Sequence, residues 1–387
     1  MTPAIQHYPE HLVVRMTEPS RDTVLFLATD AYGGHGGIAL YNRDVIESLA
    51  LNSAIGRIVG VPRVGSDAMQ PMPEKLVWDR TGLGGARHWL RAVYQQLDAN
   101  RRIDLVYCAH INLAPIAWAI AKLRRVPWVL AIYGIDAWPG NASPRNRFFA
   151  SRADRILSIS QVTLDRFRSW CPVPDDKCVL LPNAINSAAF GVADKHPALV
   201  ARYGLERAKT VMTFGRLHPD ERYKGFDEII DLMPSMLKVR PELRYLIAGR
   251  GDDQPRLEAK ARALGVGHAV IFTGMVDEAE KADTYRLADC FALPSRGEGF
   301  GFVLLEAMAC GVPVVASTQD GGREAIRDGE LGMLIDPADG DALSHAILTS
   351  IDLPRQIPRG LSHFEFPAFA RRVNDALNPL FRAAGRS

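Results

Sequence analysis

The sequence predicts an α/β protein built from two doubly wound domains of similar size. Short apolar runs alternate with amphipathic segments along nearly all of the 387 residues, which is typical of βαβ units and parallel sheets. The length exceeds that of one ordinary domain. A polar, turn-rich stretch at residues 181–194 (LPNAINSAAFGVAD) interrupts the alternation. We therefore place a first domain at residues 1–190 and a second at residues 191–363.

The first half opens with an apolar run at residues 23–29 (TVLFLAT), which predicts a buried strand, then a glycine-rich turn and a helix to about Leu51. Similar runs predict four further strands, at residues 55–61, 104–108, 127–132 and 155–159. Helical stretches lie between them, at residues 89–97 and 113–123 among others.

The second half repeats the alternation. Its predicted strands are residues 209–214, 243–248, 269–273, 290–293 and 312–316. Its predicted helices are residues 226–238, 254–264, 278–287 and 302–309. Ligands of such sheets bind at the carboxyl ends of the strands, so we expect the functional residues in the loops that follow strands and in the cleft between the domains.

Composition excludes several classes of protein. Hydrophobic residues make up 47% and charged residues 23%, as in soluble globular proteins. The 46 Lys and Arg against 44 Asp and Glu give a net charge of +2, which argues against a dedicated nucleic-acid-binding protein. Five scattered cysteines without a CxxC pair argue against a disulfide framework or a zinc site, and residues 1–22 lack the apolar core of a signal peptide. We expect a cytoplasmic protein.

A glycine-rich loop, YGGHGG, follows the first strand and opens the first helix. Glycines let the backbone approach a ligand, and a helix start offers N–H groups to an anion, so Gly36 and Gly37 are predicted to contact a phosphorylated ligand. The segment from Gly34 to Ala39 also fits the GxGxxA dinucleotide fingerprint, which makes an NAD(P)-dependent oxidoreductase an alternative. The second strand, however, ends in RIVGVPR, without the acidic residue that this fingerprint expects.

The most informative pattern is PSRGEGFGFVLLEAMACG, in which a strand ends in a glycine-rich loop and a helix follows. Glu298 lies in the loop and can accept hydrogen bonds from sugar hydroxyls, whereas Glu306 lies on the helix and can bind a ribose diol. The helix start offers free N–H groups to a diphosphate, those of Gly299, Phe300 and Gly301.

Two cations follow the first strand of the second domain. Arg216 and Lys224 project from its carboxyl end into the expected cleft. There they can neutralise a diphosphate leaving group without a metal, and the sequence contains no DxD motif or His/Cys cluster that suggests a metal site. We expect neither a bound metal nor an organic cofactor.

These segments resemble the retaining GT-B glycosyltransferases of family 4 (glycosyl transferases group 1), in which two Rossmann-like domains face each other across a cleft. Glu298 and Glu306 in EGFGFVLLEAMACGVPVVAS resemble the donor-site signature of the family. The stretch VMTFGRL, followed by Lys224-Gly225, resembles its phosphate clamp. Further segments match in order, namely LPNAIN (the "PNGVD" segment), IAGRGD (the "AGxG" loop), FTG and DGGRE.

The resemblance implies a metal-independent hexosyltransferase that uses a GDP- or UDP-sugar and a glycan or lipid-linked saccharide acceptor. It implies three catalytic residues, Arg216, Lys224 and Glu298. It implies a donor-binding set of Gly36, Gly37, Gly249, Met275, Gly299, Phe300, Gly301, Val303 and Glu306. It implies acceptor-binding residues in the first domain, His110, Tyr133 and Asp136, and a C-terminal helix at about residues 364–387 that crosses back to that domain.

Three points stay open. Tyr133 stands where the family commonly carries a histidine near the transferred sugar, and a phenol does not place a donor at the same reach. His110 either orients an acceptor hydroxyl or is a structural histidine. The chain is alternatively a non-transferring GT-B enzyme, such as an epimerase or a phosphorylase, or a catalytically silent nucleotide-sugar-binding partner.

The basic residues are concentrated in the first domain. From Arg80 to Arg168 there are 14 Lys and Arg against five Asp and Glu, a net charge of +9. Basic residues also bracket a predicted amphipathic helix, namely Arg87, Arg91, Arg101 and Arg102 around Trp89, Leu90, Val93, Tyr94 and Leu97. This pattern predicts docking at an anionic membrane surface beside a lipid-linked acceptor, with a core-facing helix under a solvated basic surface as the alternative.

Overall fold

The computed structural model describes residues 22–33, 36–65 and 70–384. The predictions that involve Gly34, residues 1–21 and residues 385–387 lie outside these residues.

The first domain is a parallel sheet with helices on both faces. In the described residues the sheet has seven strands, which are β1 (Asp22–Ala28), β2 (Ile55–Pro62), β3 (Leu76–Trp78), β4 (Leu105–Cys108), β5 (Trp128–Ile132), β6 (Arg155–Ser158) and β7 (Cys178–Leu180). Their order is β3-β2-β1-β4-β5-β6-β7. The α-helices are α1 (Gly37–Leu51), α2 (Ala86–Ala99), α3 (Ala114–Arg124), α4 (Pro144–Ala150) and α5 (Gln161–Arg168).

The second domain has the same architecture. Its described strands are β8 (Lys209–Phe214), β9 (Leu243–Ala248), β10 (Val270–Phe272), β11 (Cys290–Leu293), β12 (Val314–Ser317) and β13 (Met333–Ile335), in the order β10-β9-β8-β11-β12-β13. Its helices are α6 (Pro197–Tyr203), α7 (Phe226–Val239), α8 (Gln254–Ala263), α9 (Lys281–Arg286), α10 (Phe302–Ala309), α11 (Gly322–Ala325) and α12 (Gly340–Ser350). The predicted pair of doubly wound domains is therefore confirmed.

Burial explains why the strands are continuous apolar runs. Residues 24–28 of β1 are fully buried, because helices cover both faces of the parallel sheet. One cluster of buried apolar side chains belongs to the first domain and another to the second. A further cluster contains residues of both domains, so the two sheets share part of their core behind the cleft.

The last helix, α13 (Phe366–Ala384), lies against α1 of the first domain. The Phe369 ring meets the ring of Tyr41 edge-on, with centroids 5.5 Å apart. The Asn52 amide donates to Asn374 Oδ1 at 2.7 Å and to Asn378 Oδ1 at 2.9 Å. The chain thus starts and ends its described part in the first domain.

Helix α2 corrects one prediction. Trp89 and Val93, expected on a membrane-facing side, are each 3% exposed, and Trp89 Nε1 donates to the carbonyl of Val61 at 3.1 Å. They face inward because the apolar face of α2 covers the sheet. The opposite face presents Leu90 and Tyr94, which are 45% and 70% exposed. Across the part of the chain that the structure describes, every helix is too short or too polar to span a bilayer.

Candidate active site

A cavity of about 880 Å³ lies between the two domains, at the carboxyl ends of both sheets. The first domain lines it with the residues after β1, the start of α1 and the residues after β5. The second domain lines it with the loops after β8, β9 and β11. This is where ligands of doubly wound sheets bind.

Most of the residues predicted from the sequence lie in this cavity. Those that line it are Gly36, Gly37, Tyr133, Asp136, Arg216, Lys224, Gly249, Met275, Glu298, Gly299 and Val303. Phe300 and Gly301 instead line an adjoining recess of about 200 Å³, which Glu298 and Tyr133 also border. His110 and Glu306 border neither space.

The two predicted cations are already held by a carboxylate. Arg216 forms an ion pair with Glu221, and Lys224 Nζ lies 2.8 Å from Glu221 Oε2. Burial lowers the pKa of Lys224, while the nearby Glu298 opposes this shift. Arg250 lines the same cavity and adds a third cation. Glu221 and Arg250 were not among the site residues predicted from the sequence, although both lie within or beside the segments that resemble the family.

The backbone that carries Glu298 is fixed by Asp320. One oxygen of Asp320, Oδ2, accepts hydrogen bonds from the Glu298 N–H at 2.8 Å and from the Ser295 hydroxyl at 2.5 Å. Burial raises the pKa of Glu298, and Lys224 opposes the rise. A half-buried carboxylate thus stands beside an ammonium group, and this arrangement can bind sugar hydroxyls next to a phosphate.

Two helix starts meet at the cavity. The N-terminal residues of α1, Gly37 to Ala39, line it, and α10 begins just beyond the Glu298 loop. A Cβ atom added to Gly37 would lie 3.4 Å from the Phe302 ring, so the first residues of these helices are neighbours across the domain boundary. Helix N-termini carry positive partial charge and free N–H groups, which stabilise phosphates.

Gly249 shows how closely the loops after β8 and β9 approach each other. It has a φ of 123°, and a Cβ atom there would lie 2.1 Å from the carbonyl oxygen of Gly215. A side chain at this position therefore cannot be accommodated without moving the loop that carries Arg216.

Glu306 is buried and paired within the second domain. It is 5% exposed, forms a salt bridge with Lys281 at 2.5 Å and accepts a hydrogen bond from the Tyr285 hydroxyl at 2.7 Å. Burial raises the pKa of Glu306, and Lys281 opposes the rise. Both carboxylate oxygens have partners in this structure, so the predicted ribose contact requires Glu306 to exchange one of them.

Tyr133 turns its hydroxyl away from the cavity. The hydroxyl donates to Asn42 Oδ1 at 2.8 Å, and the Asn42 amide donates to the carbonyl of Asp30 at 2.7 Å. Asn42 is fully buried on α1. Tyr133 can therefore offer a ligand its ring, whereas its hydroxyl anchors α1. No local pattern in the sequence indicates this role for Asn42.

Asp136 is one of two acidic residues, with Asp30, that the first domain contributes to the cavity wall. Its Oδ1 accepts a hydrogen bond from the Tyr133 N–H at 3.1 Å. Its Oδ2 is buried and accepts no hydrogen bond of good geometry among the described residues, although the N–H groups of Gly134 and Ala137 lie near the carboxylate and oppose the rise of its pKa. Burial raises the pKa of Asp136 to about 7. Asp136 lines the cavity, so its carboxyl group can accept a hydrogen bond from a ligand hydroxyl once the buried oxygen turns toward the cavity.

His110 is separate from this wall. Its Nδ1 accepts a hydrogen bond from the Asn112 N–H at 3.1 Å, which caps the turn after β4. Burial lowers the pKa of His110, and the charge of Arg63 lowers it further. His110 was predicted either to orient an acceptor hydroxyl or to be a structural histidine. The contact that it makes is a structural one.

Comparison with known proteins agrees with this architecture. Residues 208–352 match the model of the glycosyl transferases group 1, and residues 8–184 match that of the glycosyl transferase 4-like domain. The D-inositol 3-phosphate glycosyltransferase of Segniliparus rotundus is 31% identical over 309 residues, which cover 74% of this chain and 67% of that protein. The chain belongs to the family 4 glycosyltransferases. This membership excludes the alternative of an NAD(P)-dependent oxidoreductase.

Other relatives of this family 4 chain match it over shorter segments. The phosphatidyl-myo-inositol mannosyltransferase of Mycobacterium leprae is 39% identical over 171 residues, 44% of this chain and 43% of the relative. A GDP-mannose-dependent alpha-(1-6)-phosphatidylinositol monomannoside mannosyltransferase of Mycolicibacterium smegmatis is 33% identical over 218 residues, 54% of this chain and 56% of the relative. The chain thus spans about half the length of these two relatives.

Solved structures share the fold. Anabaena HepE, in complex with UDP and glucose, superposes with a TM-score of 0.73 at 20% identity and covers 93% of this chain and all of its own. The sucrose-phosphate synthase of Thermosynechococcus elongatus superposes with a TM-score of 0.72 at 20% identity over 94% of this chain and 100% of its own. The family 4 chain therefore has the GT-B fold.

Proposed function

We propose that this protein transfers a hexosyl group from a GDP- or UDP-sugar to a glycan or lipid-linked saccharide acceptor, in the synthesis of a polysaccharide or glycoconjugate. The observation that carries the proposal is the cavity in which Arg216, Lys224 and Arg250 face the start of α1 beside Glu298. Three cations and a helix N-terminus suit a diphosphate, and a neighbouring carboxylate suits a sugar. The names of the relatives support this substrate class.

The diphosphate binds where Glu221 now balances two cations. Arg216 and Lys224 exchange Glu221 for phosphate oxygens, while Glu298 holds hydroxyl groups of the transferred sugar. As the bond between the anomeric carbon and the β-phosphate oxygen breaks, negative charge grows on the leaving diphosphate. The cations stabilise this charge more in the transition state than in the bound donor, which accelerates the reaction.

The reaction proceeds with retention in this proposal. The acceptor hydroxyl oxygen bonds to the anomeric carbon on the face that the diphosphate leaves, and its proton passes to the departing phosphate oxygen. Atoms and charge balance without a protein nucleophile or a metal ion. In this proposal the Asp136 side chain turns its buried oxygen toward the cavity, accepts a hydrogen bond from an acceptor hydroxyl and so orients the attacking group.

Metal independence is part of the same proposal. Within the described ranges, no group of three or more His, Cys, Asp or Glu side chains is arranged to hold a metal ion. The charge that a metal would supply is available from Arg216, Lys224 and Arg250.

The acceptor side works at an anionic membrane, and the exposed face of α2 makes the contact. Arg87, Leu90, Arg91 and Tyr94 follow the spacing of one helical face, and all four are exposed. Each basic residue near an anionic leaflet contributes about 1 kcal/mol, so these residues and the regional charge support reversible docking. The protein itself then acts from the cytoplasmic side.

Vesicle co-sedimentation tests the membrane contact. Wild-type protein is expected to bind phosphatidylglycerol vesicles, less in high salt, and the R87E/R91E/Y94A variant is expected to lose binding. The matched control, K238E/V239A, changes an exposed basic and an exposed apolar residue of the second domain and should bind normally. Equal binding to neutral vesicles, or none at all, contradicts docking.

A donor panel tests the proposed function. UDP, GDP and ADP with their common sugars are compared by thermal shift, and diphosphate release is then followed with candidate glycan and lipid-linked acceptors. One nucleoside diphosphate and its sugar are expected to stabilise the protein, and an acceptor should raise diphosphate release. Stabilisation without transfer to any acceptor supports the silent-partner alternative. Conversion of the donor to a different sugar nucleotide supports an epimerase.

A further inference from the structure

We propose that Glu324 is a positioning residue that holds the two domains closed and aligns Glu298 with the first-domain wall of the cleft. The proposal rests on the transferase function proposed above. The carboxylate of Glu324 crosses from the second domain to the N-terminus of α5 in the first. Its Oε2 accepts the Gln161 N–H at 2.7 Å, and its Oε1 accepts the Val162 N–H at 2.9 Å.

The start of α5 depends on this contact. An α-helix leaves its first N–H groups without partners in the helix itself, so other groups must satisfy them. In α5 the third of these groups, the Thr163 N–H, donates to the side chain of the N-cap residue Ser160 at 3.0 Å. The first two donate to Glu324. A carboxylate at a helix N-terminus also interacts favourably with the helix dipole.

The same end of α5 contacts the Glu298 loop. The Ser160 hydroxyl donates to the carbonyl oxygen of Gly299 at 2.7 Å. A Cβ atom at Gly299 would lie 2.4 Å from the carbonyl oxygen of Tyr133, so the residue after Glu298 touches the first-domain wall directly. Only a glycine permits this approach, because any side chain would separate the two loops.

A single segment of the second domain links these contacts. Asp320 accepts the Glu298 N–H, the Gly321 N–H donates to the Glu298 carbonyl at 2.9 Å, and Glu324 follows one turn later. The first residues of the segment 320–324 therefore fix the backbone of Glu298. Its last residue holds α5 of the first domain. Closure of the cleft and placement of Glu298 are coupled through this segment.

Arg166 adds an independent contact on the same helix. Its guanidinium donates to the carbonyl of Gln319 at 3.0 Å and lies 4.0 Å from the ring of Trp138, which follows Asp136 in the acceptor wall. Helix α5 thus connects the Asp136 loop to residues 319–324. Opening the cleft would break the Arg166–Gln319 contact and the Glu324 contacts with α5 together, whereas the Arg166–Trp138 contact lies within the first domain.

Hydrogen exchange and solution scattering test the proposal without relying on activity. In Glu324→Ala, the amides of Gln161 and Val162 are expected to exchange faster, while the core strands keep their protection. The radius of gyration should rise, and the compaction on adding the nucleoside diphosphate that stabilises the wild type should diminish. The turnover number should fall about tenfold, because the charge-assisted contacts that hold the closed state are lost.

Two further variants make the result specific. Glu324→Gln keeps the shape and removes the charge, so it serves as the test if the alanine variant does not fold, and it should show the same changes at reduced size. Glu330→Ala is the control, because Glu330 pairs with Arg327 within the second domain. Wild-type exchange at Gln161 and Val162 and a wild-type radius in both Glu324 variants would overturn the proposal. Failure of the wild type to transfer sugar would instead contradict the proposed function and leave these measurements intact.

Discussion

On the second-domain wall of the cleft, the charged groups come from short loops that follow β8, β9 and β11. On the first-domain wall, the two key side chains depend on partners that are distant or missing: Tyr133 is bonded to Asn42 on α1, and Asp136 keeps one buried oxygen unsatisfied. The second-domain wall thus gathers its charged groups from neighbouring loops of one domain, with Asp320 fixing the Glu298 backbone. The first-domain wall depends on more distant contacts and on a ligand. We therefore expect the loops of the second domain to bind the phosphates and the first-domain wall to position the acceptor.

The phosphate cations should give the largest effects. Arg216→Ala or Lys224→Ala is expected to lower the turnover number by about 10²–10³, because each removes charge that stabilises the leaving diphosphate. Arg222→Ala is the control, since Arg222 lies in the same turn but pairs with Asp227. Steady-state kinetics with the donor found in the panel measures the change. Near-normal turnover in both variants would contradict the role of Arg216 and Lys224 in stabilising the leaving diphosphate.

Asp136 should give an intermediate, pH-dependent effect. Its pKa is raised to about 7 by burial, so the carboxylate that accepts the acceptor hydroxyl is present above about pH 7 and is lost as the pH falls below it. Wild-type kcat/KM is expected to rise with pH through this range. Asp136→Asn should lower kcat/KM at pH 8 by about tenfold to a hundredfold and abolish that rise. An unchanged pH profile in the variant would contradict the role of Asp136.

Tyr133 should affect stability more than catalysis. Tyr133→Phe removes the hydroxyl that donates to the buried Asn42, which is expected to cost about 1 kcal/mol of unfolding free energy. The turnover number should stay within about twofold, because the hydroxyl does not face the cavity. Denaturant unfolding and kinetics measure the two quantities, with the exposed Tyr94→Phe as the control. A large loss of turnover with unchanged stability would place the hydroxyl at the substrate instead.

Chelation should have the smallest effect. Activity is expected to survive EDTA, because Arg216, Lys224 and Arg250 supply the positive charge at the diphosphate site. Loss of activity in EDTA with recovery in Mg²⁺ or Mn²⁺ would refute metal independence.

The difference between local and distant contacts also explains which parts of the fold could be predicted from the sequence. The longer strands such as β1 and β8 consist mostly of buried residues, many of them apolar, and the sequence located them within a residue or two. The three-residue strands β3, β7 and β13 were missed, because so short a segment has no periodicity and is defined by the strand beside it. The helices α4, α5, α6, α11 and α12 were not assigned for a similar reason, since most of them are short.

The candidate site divides in the same way. Arg216, Lys224 and Glu298 were found because they lie in loops whose composition is itself informative, with glycines beside charges. The inward turn of the Tyr133 hydroxyl, the pairing of Glu221 with both cations and the contact of Glu324 with α5 were not found. The Tyr133 and Glu324 contacts depend on which distant segment packs opposite, within the first domain for Tyr133 and between the domains for Glu324. Glu221 lies in the same turn as both cations, and its pairing depends on the conformation of that turn.

Calorimetric binding of nucleotides tests the central claim most directly, namely that the second-domain cations hold a diphosphate. For the base that the donor panel selects, the nucleoside diphosphate and the matching monophosphate are titrated into the wild type and into R216A/K224A. The double variant is expected to lose about a hundredfold or more in affinity for the diphosphate, and far less for the monophosphate. Equal affinities of the wild type and the double variant for the diphosphate would contradict the claim.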